Sequence, residues 1–436
     1  MENRSFKIIT LGCKVNHYES QCISSRLLKR GWKEAINIEE AQIIIINTCI
    51  VTQKASHQSR QAIRRAIRGK RRGALVIAIG CYAQVYGQEL EGIEGLDLVL
   101  GNEYKDILDE ILDGGRLKDP NRYSKVGFST NWSCPVEGFN IKSRAFLKIQ
   151  DGCDSFCSYC IVPYARGPIR SLSPEKVIEM LRRFSGAGFK EVVLTGVHLG
   201  RYGRDMIGDW TLLRLLKRIK GENLPLRIRL SSLELTEIQD ELIEMILNEP
   251  WLCRHLHIPL QSGDDEILKR MNRSYSSSYF REKIQYITYR IPDISIGVDV
   301  MVGFPGEDEN AFKNTFNLLK ELPISYLHVF IYSDRKGTEA FHMDGKIPYE
   351  IQHHRSQILL KLSKEKRLGF LRSCLNKEFN VVVEQESKKF PGFLEGVTDN
   401  YIRVIFKREK GLLKKMLLKV KTLKIRDERY MFSCRR

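Results

Sequence analysis

The sequence predicts an α/β protein with three parts: an open parallel sheet, a partial (β/α) barrel of six strands, and a small all-β module. In the first two parts, short apolar runs alternate with helical patterns, which is typical of parallel sheets with crossover helices. In the third part, short strand-like runs are split by Pro-Gly and charged residues. We place these parts at residues 1–125, 140–370 and 371–436.

Four short apolar runs predict the strands of the N-terminal sheet. They are Phe6–Leu11, Gln42–Ile46, Ala74–Ile79 and Leu96–Leu100, and the helical patterns between them lie around His17–Arg30, Lys54–Arg68, Gln84–Leu90 and Tyr104–Leu112. From Asp113 to about Asn140 the sequence has little periodicity, which indicates a linker.

Six further apolar runs predict the strands of the central part. They are Ala145–Gln150, Glu191–Thr195, Arg227–Ser231, His255–Pro259, Ile294–Val302 and His328–Tyr332, with helices such as Pro174–Gly186 and Asp209–Lys220 between them. Six such units in roughly 200 residues favour a partial barrel over a flat doubly wound sheet. A basic helix over about Pro348–Arg372 follows, and Phe379–Val383, Tyr401–Phe406 and Leu417–Lys421 are the strand-like runs of the tail.

Composition and charge limit the classes of protein that this chain can be. It has 436 residues, with 71 Lys and Arg against 53 Asp and Glu, and hydrophobic residues make up 42%. The hydrophobic content excludes wholesale disorder, and no apolar run reaches the ~18 residues of a membrane span. Since no signal peptide is visible, we expect a cytoplasmic protein with no membrane partner. The net charge of +18 favours a polyanionic partner such as nucleic acid.

Three cysteines with CxxxCxxC spacing follow the first predicted barrel strand: Cys153, Cys157 and Cys160. A loop of this size can wrap three thiolates around one face of a 4Fe–4S cluster and leave the fourth iron open to chelate a small molecule. A zinc site completed by a distant Cys or His is the alternative, although zinc motifs usually use CxxC pairs. The spacing therefore favours the cluster.

A second set of cysteines, Cys13, Cys49 and Cys81, follows the ends of three predicted strands. Because the carboxyl ends of parallel strands meet at one edge of a sheet, these thiols can converge on one point. Gly12 and Gly80 would let the backbone turn tightly around a bulky cluster. Three unrelated buried core cysteines are the alternative. The other five cysteines show no ligand spacing and are interpreted as incidental: Cys22, Cys134, Cys253, Cys374 and Cys434.

The first cysteine motif, with the aromatic Tyr159 before its third cysteine, resembles the signature of the radical S-adenosylmethionine family. Four later segments resemble that family in the same order: Ile161–Ser171, Leu194–Gly200, His257–Gly263 and Gly297–Glu307. The resemblance implies a catalytic 4Fe–4S cluster on Cys153, Cys157 and Cys160. It also implies that S-adenosylmethionine contacts Tyr159, Gly196 and Gly303.

The segments around the second set resemble the N-terminal domain of the methylthiotransferases within that family. These segments are Leu11–Asn16, Asn47–Thr52 and Gly80–Gln84. The resemblance implies an auxiliary 4Fe–4S cluster on Cys13, Cys49 and Cys81. Two clusters then serve two tasks, with one S-adenosylmethionine methylating sulfur on the auxiliary cluster and a second cleaved to a radical that activates the C2–H bond of adenine.

The segment from Gly12 to Ser20 resembles the branch that acts on N6-threonylcarbamoyladenosine. The isopentenyladenosine branch typically has Gln-Met where this chain has Lys14-Val15. The implied activity is conversion of N6-threonylcarbamoyladenosine at position 37 of tRNA to its 2-methylthio derivative. Three alternatives stay open: the same chemistry on N6-isopentenyladenosine-37, the same chemistry on a ribosomal protein aspartate, and a non-catalytic iron–sulfur RNA-binding protein.

The tail resembles a TRAM domain, a small β-barrel of RNA-modifying enzymes, over Phe393–Val404. Residues 371–436 contain 17 Lys and Arg but 8 Asp and Glu, a surplus of nine that is half of the whole chain's. With Tyr401 and Phe406 interleaved, this concentration favours RNA contact over a merely solvated face.

A second basic segment, 54–73, contains eight Lys and Arg and no Asp or Glu. Helical spacing places Arg60, Arg64 and Arg68 on one face, where they can bind phosphates, although a purely solvated helix is the alternative. As partners, the sequence and the resemblance together predict tRNA, bound through its anticodon stem-loop, and an electron donor such as flavodoxin or ferredoxin. We expect the protein to be a monomer.

Overall fold

The computed structural model describes residues 4–113, 128, 132, 134, 143–409, 411–426 and 428–435. Within these residues the predicted α/β class is confirmed, with an N-terminal parallel sheet, a central strand-helix region and a closed C-terminal β-barrel. Most of the predicted linker lies outside the described residues. None of the helices in the described ranges is both long enough and apolar enough to cross a membrane.

The N-terminal part is a five-stranded parallel sheet with helices on both faces. Its strands are β1 (Ser5–Thr10), β2 (Lys33–Glu34), β3 (Ile43–Thr48), β4 (Leu75–Gly80) and β5 (Leu98–Leu100), in the order β2-β1-β3-β4-β5. Its helices are α1 (Lys14–Lys29), α2 (Gln53–Gly69), α3 (Cys81–Glu91) and α4 (Leu108–Asp113). Every residue of β3 is buried because this strand is central and covered on both sides. The sequence pattern missed β2, which has only two exposed residues.

The central part has six parallel strands in two three-stranded sheets. One sheet contains β6 (Ala145–Lys148), β9 (Glu191–Thr195) and β10 (Arg227–Leu230), and the other contains β11 (His255–Gln261), β12 (Ser295–Val302) and β13 (Tyr326–Ile331). A parallel bridge between Ser232 and His257 joins the two sheets. The hairpin of β7 (Gln150–Asp151) and β8 (Arg170–Ser171) lies just after β6. All six predicted barrel strands are therefore present, in the predicted order.

Helices cover the outside of these strands. They are α5 (Val162–Arg166), α6 (Pro174–Gly186), α7 (Leu212–Gly221), α8 (Asp240–Asn248), α9 (Asp265–Arg270), α10 (Ser277–Arg290), α11 (Glu309–Glu321) and α12 (Tyr349–Ser373). Side-chain caps fix several of their first turns. Ser173, Thr211, Asp264, Ser276 and Asp308 each accept a backbone N–H at a helix N-terminus.

Alternation along the strands separates an apolar outer face from a polar inner face, which we call the lumen. On β10, Ile228 and Leu230 join the hydrophobic core under the helices, whereas Arg227 and Arg229 do not. The lumen is lined by Glu191, Arg229, His257, Asp299, Tyr326 and His328. A barrel interior with this many ionisable groups is suited to a polar ligand rather than to close apolar packing.

The tail is a closed barrel of five strands, as the resemblance implied. The strands are β14 (Glu378–Glu386), β15 (Phe393–Thr398), β16 (Arg403–Lys407), β17 (Leu417–Ile425) and β18 (Tyr430–Arg435), with neighbours β14-β15-β16-β18-β17. The predicted strand at Tyr401 starts two residues too early, because Tyr401 has a φ of 63° and lies in the turn before β16. Arg227 and Arg229 donate hydrogen bonds to backbone carbonyls of this barrel and so attach it to the lumen.

Two of the cysteines interpreted as incidental are paired, which corrects that interpretation. Cys22 on α1 and Cys134 form a disulfide across 112 residues of sequence. Sequence spacing could not show the pair, because neither cysteine belongs to a motif and 112 residues separate them. Cys253, Cys374 and Cys434 are free thiols, the first two buried and the last exposed.

Candidate active site

Cys153, Cys157 and Cys160 lie in one loop at the carboxyl end of the first barrel strand. The Cys160 N–H donates to the Cys157 carbonyl at 2.8 Å, and the Cys153 N–H donates to the Gly167 carbonyl at 3.2 Å. Gly152 has a φ of +77°, and a Cβ there would lie 1.8 Å from the Pro168 carbonyl oxygen, so the tight entry into the loop requires glycine. Burial, together with the neighbouring Cys157 and Cys153 thiols, raises the pKa of Cys160 to about 12, which places the three sulfurs together.

Two side chains that can carry positive charge contact two of these thiols. His198 Nδ1 lies 3.5 Å from Cys153 Sγ, and the other ring nitrogen of His198 lies 2.8 Å from Glu237. The hydrogen bond from His198 lowers the pKa of Cys153 against the opposing effect of burial. On the other side, Arg273 donates to Cys157 Sγ at 3.4 Å and is paired with Glu234. His198 belongs to a segment that the sequence singled out, whereas no sequence signal marked Arg273.

Cys13, Cys49 and Cys81 meet at the carboxyl edge of the N-terminal sheet. Cys13 is the N-cap of α1, Cys49 follows β3, and Cys81 begins α3. A Cβ on Gly12 would lie 2.5 Å from Cys49 Sγ, so the expected need for a glycine in this turn is confirmed. Burial, together with the neighbouring Cys81 and Cys13 thiols, raises the pKa of Cys49 to about 11. The three thiols thus face one another.

The spacing of the sulfurs suits a multi-iron cluster better than a single zinc ion. Around one tetrahedral zinc with bonds of about 2.3 Å, neighbouring thiolates are about 3.8 Å apart. In the described part of the chain, the group of three candidate ligands whose atoms all lie within 4.8 Å of one another is His257, Asp299 and His328, and neither cysteine triplet is that compact. A cube of iron and sulfide holds its thiolates further apart, so three thiols that are less compact than a zinc site are a suitable donor set for a 4Fe–4S cluster.

A buried charge network joins the two cysteine triplets. Arg166, on the helix that follows Cys160, donates through Nε to Cys81 Sγ at 3.3 Å. The same guanidinium bonds Glu19 at 3.1 Å and Asp151 at 3.4 Å. These residues are almost inaccessible to solvent, so each charge needs its partner. Arg166 therefore connects a carboxylate of the N-terminal sheet domain to one of the barrel.

Two lysines complete this network. Lys105 donates to Glu19 at 2.6 Å, and Lys148 donates to Glu19 and to Asp151, each at 2.9 Å. Arg166 and both lysines hold the pKa of Glu19 well below its usual range, although burial alone would raise it. Arg170 also pairs with Asp151 at 3.3 Å, so four cations surround two carboxylates and the network carries a positive surplus beside Cys81.

Comparison with known proteins agrees with this geometry. A model of the radical SAM superfamily matches residues 147–319, and a model of the Uncharacterized protein family UPF0004 matches residues 5–101. The threonylcarbamoyladenosine tRNA methylthiotransferase MtaB of Bacillus subtilis is 38% identical over 95% of this chain and 93% of its own length. The chain belongs to the radical S-adenosylmethionine methylthiotransferases. Its cofactors are accordingly S-adenosylmethionine and two 4Fe–4S clusters.

Other methylthiotransferases and two solved structures are also similar. The MtaB protein of Aquifex aeolicus is 39% identical over 92% of this chain and 95% of its own, and a tRNA-2-methylthio-N(6)-dimethylallyladenosine synthase of Thermus thermophilus is 33% identical over 89% and 83%. The methyltransferase TsrM from Kitasatospora setae has a TM-score of 0.57 at 13% identity and covers 78% of this chain and 77% of its own. The radical enzyme OxsB has a TM-score of 0.51 at 12% identity, covering 83% and 56%. These two structures show the shared fold alone.

The residues expected to contact S-adenosylmethionine follow or adjoin the barrel strands. Tyr159 is partly buried against Phe304, with ring centroids 6.4 Å apart. A Cβ on Gly196 would lie 2.7 Å from the Gln150 amide oxygen, so the backbone there passes closely over β7. Gly303 differs, because its Cα faces Gln352 of α12, whose amide donates to the Gly303 carbonyl at 3.1 Å. Thus Tyr159 and Gly196 lie beside the cysteine loop, while Gly303 also packs against a helix.

The basic helix α2 carries its charge mostly on the surface. Arg64 and Arg68 are exposed, as is the intervening Arg65, and they line a shallow surface cavity with His57. Arg60 differs, since it donates to the Tyr82 hydroxyl at 2.5 Å and lies over that ring. Three exposed arginines of this methylthiotransferase are therefore available on α2 for a polyanion.

Proposed function

We propose that this protein is a tRNA methylthiotransferase that converts N6-threonylcarbamoyladenosine at position 37 to its 2-methylthio derivative. The observation that carries the proposal is the pair of cysteine triplets linked by Arg166 across the boundary between sheet and barrel. Radical activation and sulfur insertion must occur within reach of the same carbon atom, so adjoining sites are what the reaction needs. The names of the curated relatives at 35–39% identity agree with this activity.

We assign Cys153, Cys157 and Cys160 to the radical cluster, and Cys13, Cys49 and Cys81 to the auxiliary cluster. When bound, the clusters supply the electron that cleaves S-adenosylmethionine and the iron site that carries the transferred sulfur. The chain itself supplies the charge balance: Arg273 and His198 at one triplet and Arg166 at the other. Each donor is held by a carboxylate, so the positive charge near the thiolates is fixed before any ligand binds.

The RNA-binding surface in this proposal combines the tail barrel with α2. Arg64, Arg65 and Arg68 bind phosphates of the anticodon stem-loop, and the TRAM-like barrel supplies further basic residues. The target base must leave the loop and enter the mouth of the barrel, which single-stranded loops permit. We further propose that the enzyme acts as a monomer in the cytoplasm, where tRNA is found. A flavodoxin or ferredoxin would supply its electrons.

The isopentenyladenosine activity is the second candidate, because relatives with that name are 32–34% identical. The lumen argues against it, since the isopentenyl group is apolar and Glu191, Asp299 and His328 line the lumen. An apolar substituent would gain no hydrogen bond from such groups, whereas a polar substituent would.

The deciding experiment uses anaerobically reconstituted enzyme with reductant, S-adenosylmethionine and a sulfide source. Two anticodon stem-loop RNAs, identical except for N6-threonylcarbamoyladenosine or N6-isopentenyladenosine at position 37, are offered in parallel. We expect mass spectrometry of the digested nucleosides to show a 2-methylthio product from the first RNA. A product from the second RNA alone would assign the enzyme to the other branch, and no product from either would overturn the proposed activity.

A further inference from the structure

A compact polar group lies in the lumen, apart from both cysteine triplets. His257 Nε2 is 2.7 Å from Asp299 Oδ1, and His328 Nδ1 is 3.4 Å from the same oxygen. The two imidazole rings lie 4.7 Å apart between centroids. The His328 side chain is 54% exposed although it points into the lumen, whereas that of His257 is 9% exposed. His328 is therefore the member of this group that a ligand can reach.

The hydrogen bonds within this group favour an organic ligand over a metal ion. His257 already uses both ring nitrogens, one with Asp299 and the other 3.3 Å from the Tyr326 hydroxyl. Metal binding would have to break the first of these bonds. The shared Asp299 carboxylate instead orients the His328 ring through Nδ1, which leaves Nε2 of this largely exposed side chain for a ligand.

Lys14 brings a cation to the same interior. Lys14 is half-buried, and burial lowers its pKa, while its ammonium group interacts electrostatically with Arg144, Arg229, Glu191 and Tyr401. Both arginines are engaged, since each is paired with Glu191 and Arg229 also donates to backbone carbonyls of the tail barrel. Among the described residues, Lys14 itself has neither a hydrogen bond nor an ion pair that would neutralise it. A half-buried cation among other cations is stabilised by an anionic ligand.

The position of these groups relates them to the reacting base. Lys14 directly follows Cys13 of the auxiliary triplet. Asp299 lies two residues before Met301 on β12, about 7 Å along the strand, and Met301 packs in the same cluster as Tyr159 of the radical loop. An adenine whose C2 is held between the two triplets can therefore direct its N6 substituent into the lumen.

We infer that Lys14 binds the carboxylate of the N6-threonylcarbamoyl substituent and that His328, oriented by Asp299, bonds its hydroxyl group. This inference rests on the proposed function and names the residues that select the substrate. A carboxylate and a hydroxyl match an ammonium group and an imidazole nitrogen. An isopentenyl group offers neither partner and would leave the half-buried Lys14 without an anion, so the same groups disfavour it.

The test measures RNA binding by the anaerobically reconstituted holoenzyme. Three anticodon stem-loop RNAs differ only at position 37, which carries adenosine, N6-threonylcarbamoyladenosine or N6-isopentenyladenosine. For the wild type we expect the tightest binding of the threonylcarbamoyl RNA. Lys14→Gln should weaken binding of that RNA by about ten- to a hundred-fold, because a charge-assisted hydrogen bond is lost. His328→Leu should weaken it by about two- to ten-fold, and Lys14→Arg should bind nearly as the wild type does.

Controls separate specificity from folding and from net charge. Lys217→Gln removes one charge from the outer face of α7 and should leave the ranking of the three RNAs unchanged. Iron content shows whether Lys14→Gln still holds the auxiliary cluster, and His328→Leu lies far in sequence from every cysteine of the triplets. If the wild type does not prefer the threonylcarbamoyl RNA, the proposed substrate is wrong. If the wild type prefers it and both variants keep the full preference, this inference is overturned and the proposed function stands.

Discussion

The two cysteine triplets have the same number of thiols but are built in different ways. Cys153, Cys157 and Cys160 lie within eight residues of one loop, whereas Cys13, Cys49 and Cys81 come from three strand ends of a sheet. At the first triplet, the side chains that contact the thiols, His198 and Arg273, and the carboxylates paired with them all belong to the central part of the chain. At the second, Arg166 comes from the central part while its partner Glu19 comes from the N-terminal part. The auxiliary site is therefore complete only when the two parts are docked.

The exposure of the ion pairs differs as well. The Arg166 side chain is 2% exposed and that of Glu19 7%, whereas Glu234, the partner of Arg273, is 21% exposed. A buried charge that loses its partner costs far more than one that water can reach. The free energy of unfolding should thus depend more on the Arg166–Glu19 ion pair at the second triplet than on the Arg273–Glu234 ion pair at the first.

Removing one thiol from each triplet should give the largest effects and separate the two sites. Both Cys157→Ala and Cys81→Ala should abolish the methylthio product and lower the iron content by about half, since each removes one cluster. Formation of 5′-deoxyadenosine from S-adenosylmethionine should survive only in Cys81→Ala. Cys434→Ala, at an exposed free thiol outside both triplets, is the control. Survival of cleavage in Cys157→Ala would show that the assignment of the triplets is reversed.

Exchanging the two arginines for methionine should reveal the difference in burial. Arg166→Met leaves Glu19 and Asp151 short of a partner and should cost about 3–5 kcal/mol of stability. Arg273→Met should cost less, because Glu234 regains water. Thermal unfolding of both variants, with iron content as a second measurement, tests the order. Equal losses of stability in the two variants would show that the Arg166 ion pairs contribute no more to stability than the Arg273 ion pair does.

Lowering the pH should reduce the stability of the region around Cys13, Cys49 and Cys81, because Glu19 becomes protonated. Its pKa is lowered in the folded protein, so its contribution to stability is present above the ordinary value near 4.5 and is lost as the pH falls below it. Denaturant unfolding of the metal-free chain, from about pH 7 to about pH 3, should therefore show a steeper acid decline in the wild type than in Glu19→Gln. Glu110→Gln, at a 65% exposed carboxylate, should decline as the wild type does. Parallel curves for Glu19→Gln and the wild type would contradict the assigned role.

The smallest expected effect concerns RNA binding by the basic helix α2. Arg64→Ala combined with Arg68→Ala should weaken tRNA binding several-fold and reduce the slope of log affinity against log salt by about two, if each arginine contacts one phosphate. The matched control is Arg214→Ala with Arg218→Ala, which removes two exposed arginines of α7. An unchanged slope for the α2 variant would mean that this face is only solvated.

Local patterns predicted most of the fold because they depend on neighbours in sequence. The strand Glu191–Thr195 and the helix Pro174–Gly186 have the bounds that their patterns predicted. The two-residue β2 was missed because it has too few residues for any periodicity, and the start of β16 was misplaced by the positive φ of Tyr401. The Cys22–Cys134 disulfide was missed because neither cysteine belongs to a motif.

The sequence by itself determined the six thiols, because spacing within a loop and position at strand ends follow from the covalent chain. Only the tertiary structure brought Arg166 to Glu19, 147 residues away, and Lys14 to the interior that holds His328. Charges so far apart in sequence meet only when packing excludes water between them, and no local pattern records that packing. The cysteine motifs therefore predicted the cluster chemistry from sequence. The residues that neutralise buried charge and those proposed to select the substrate were identified only from the fold.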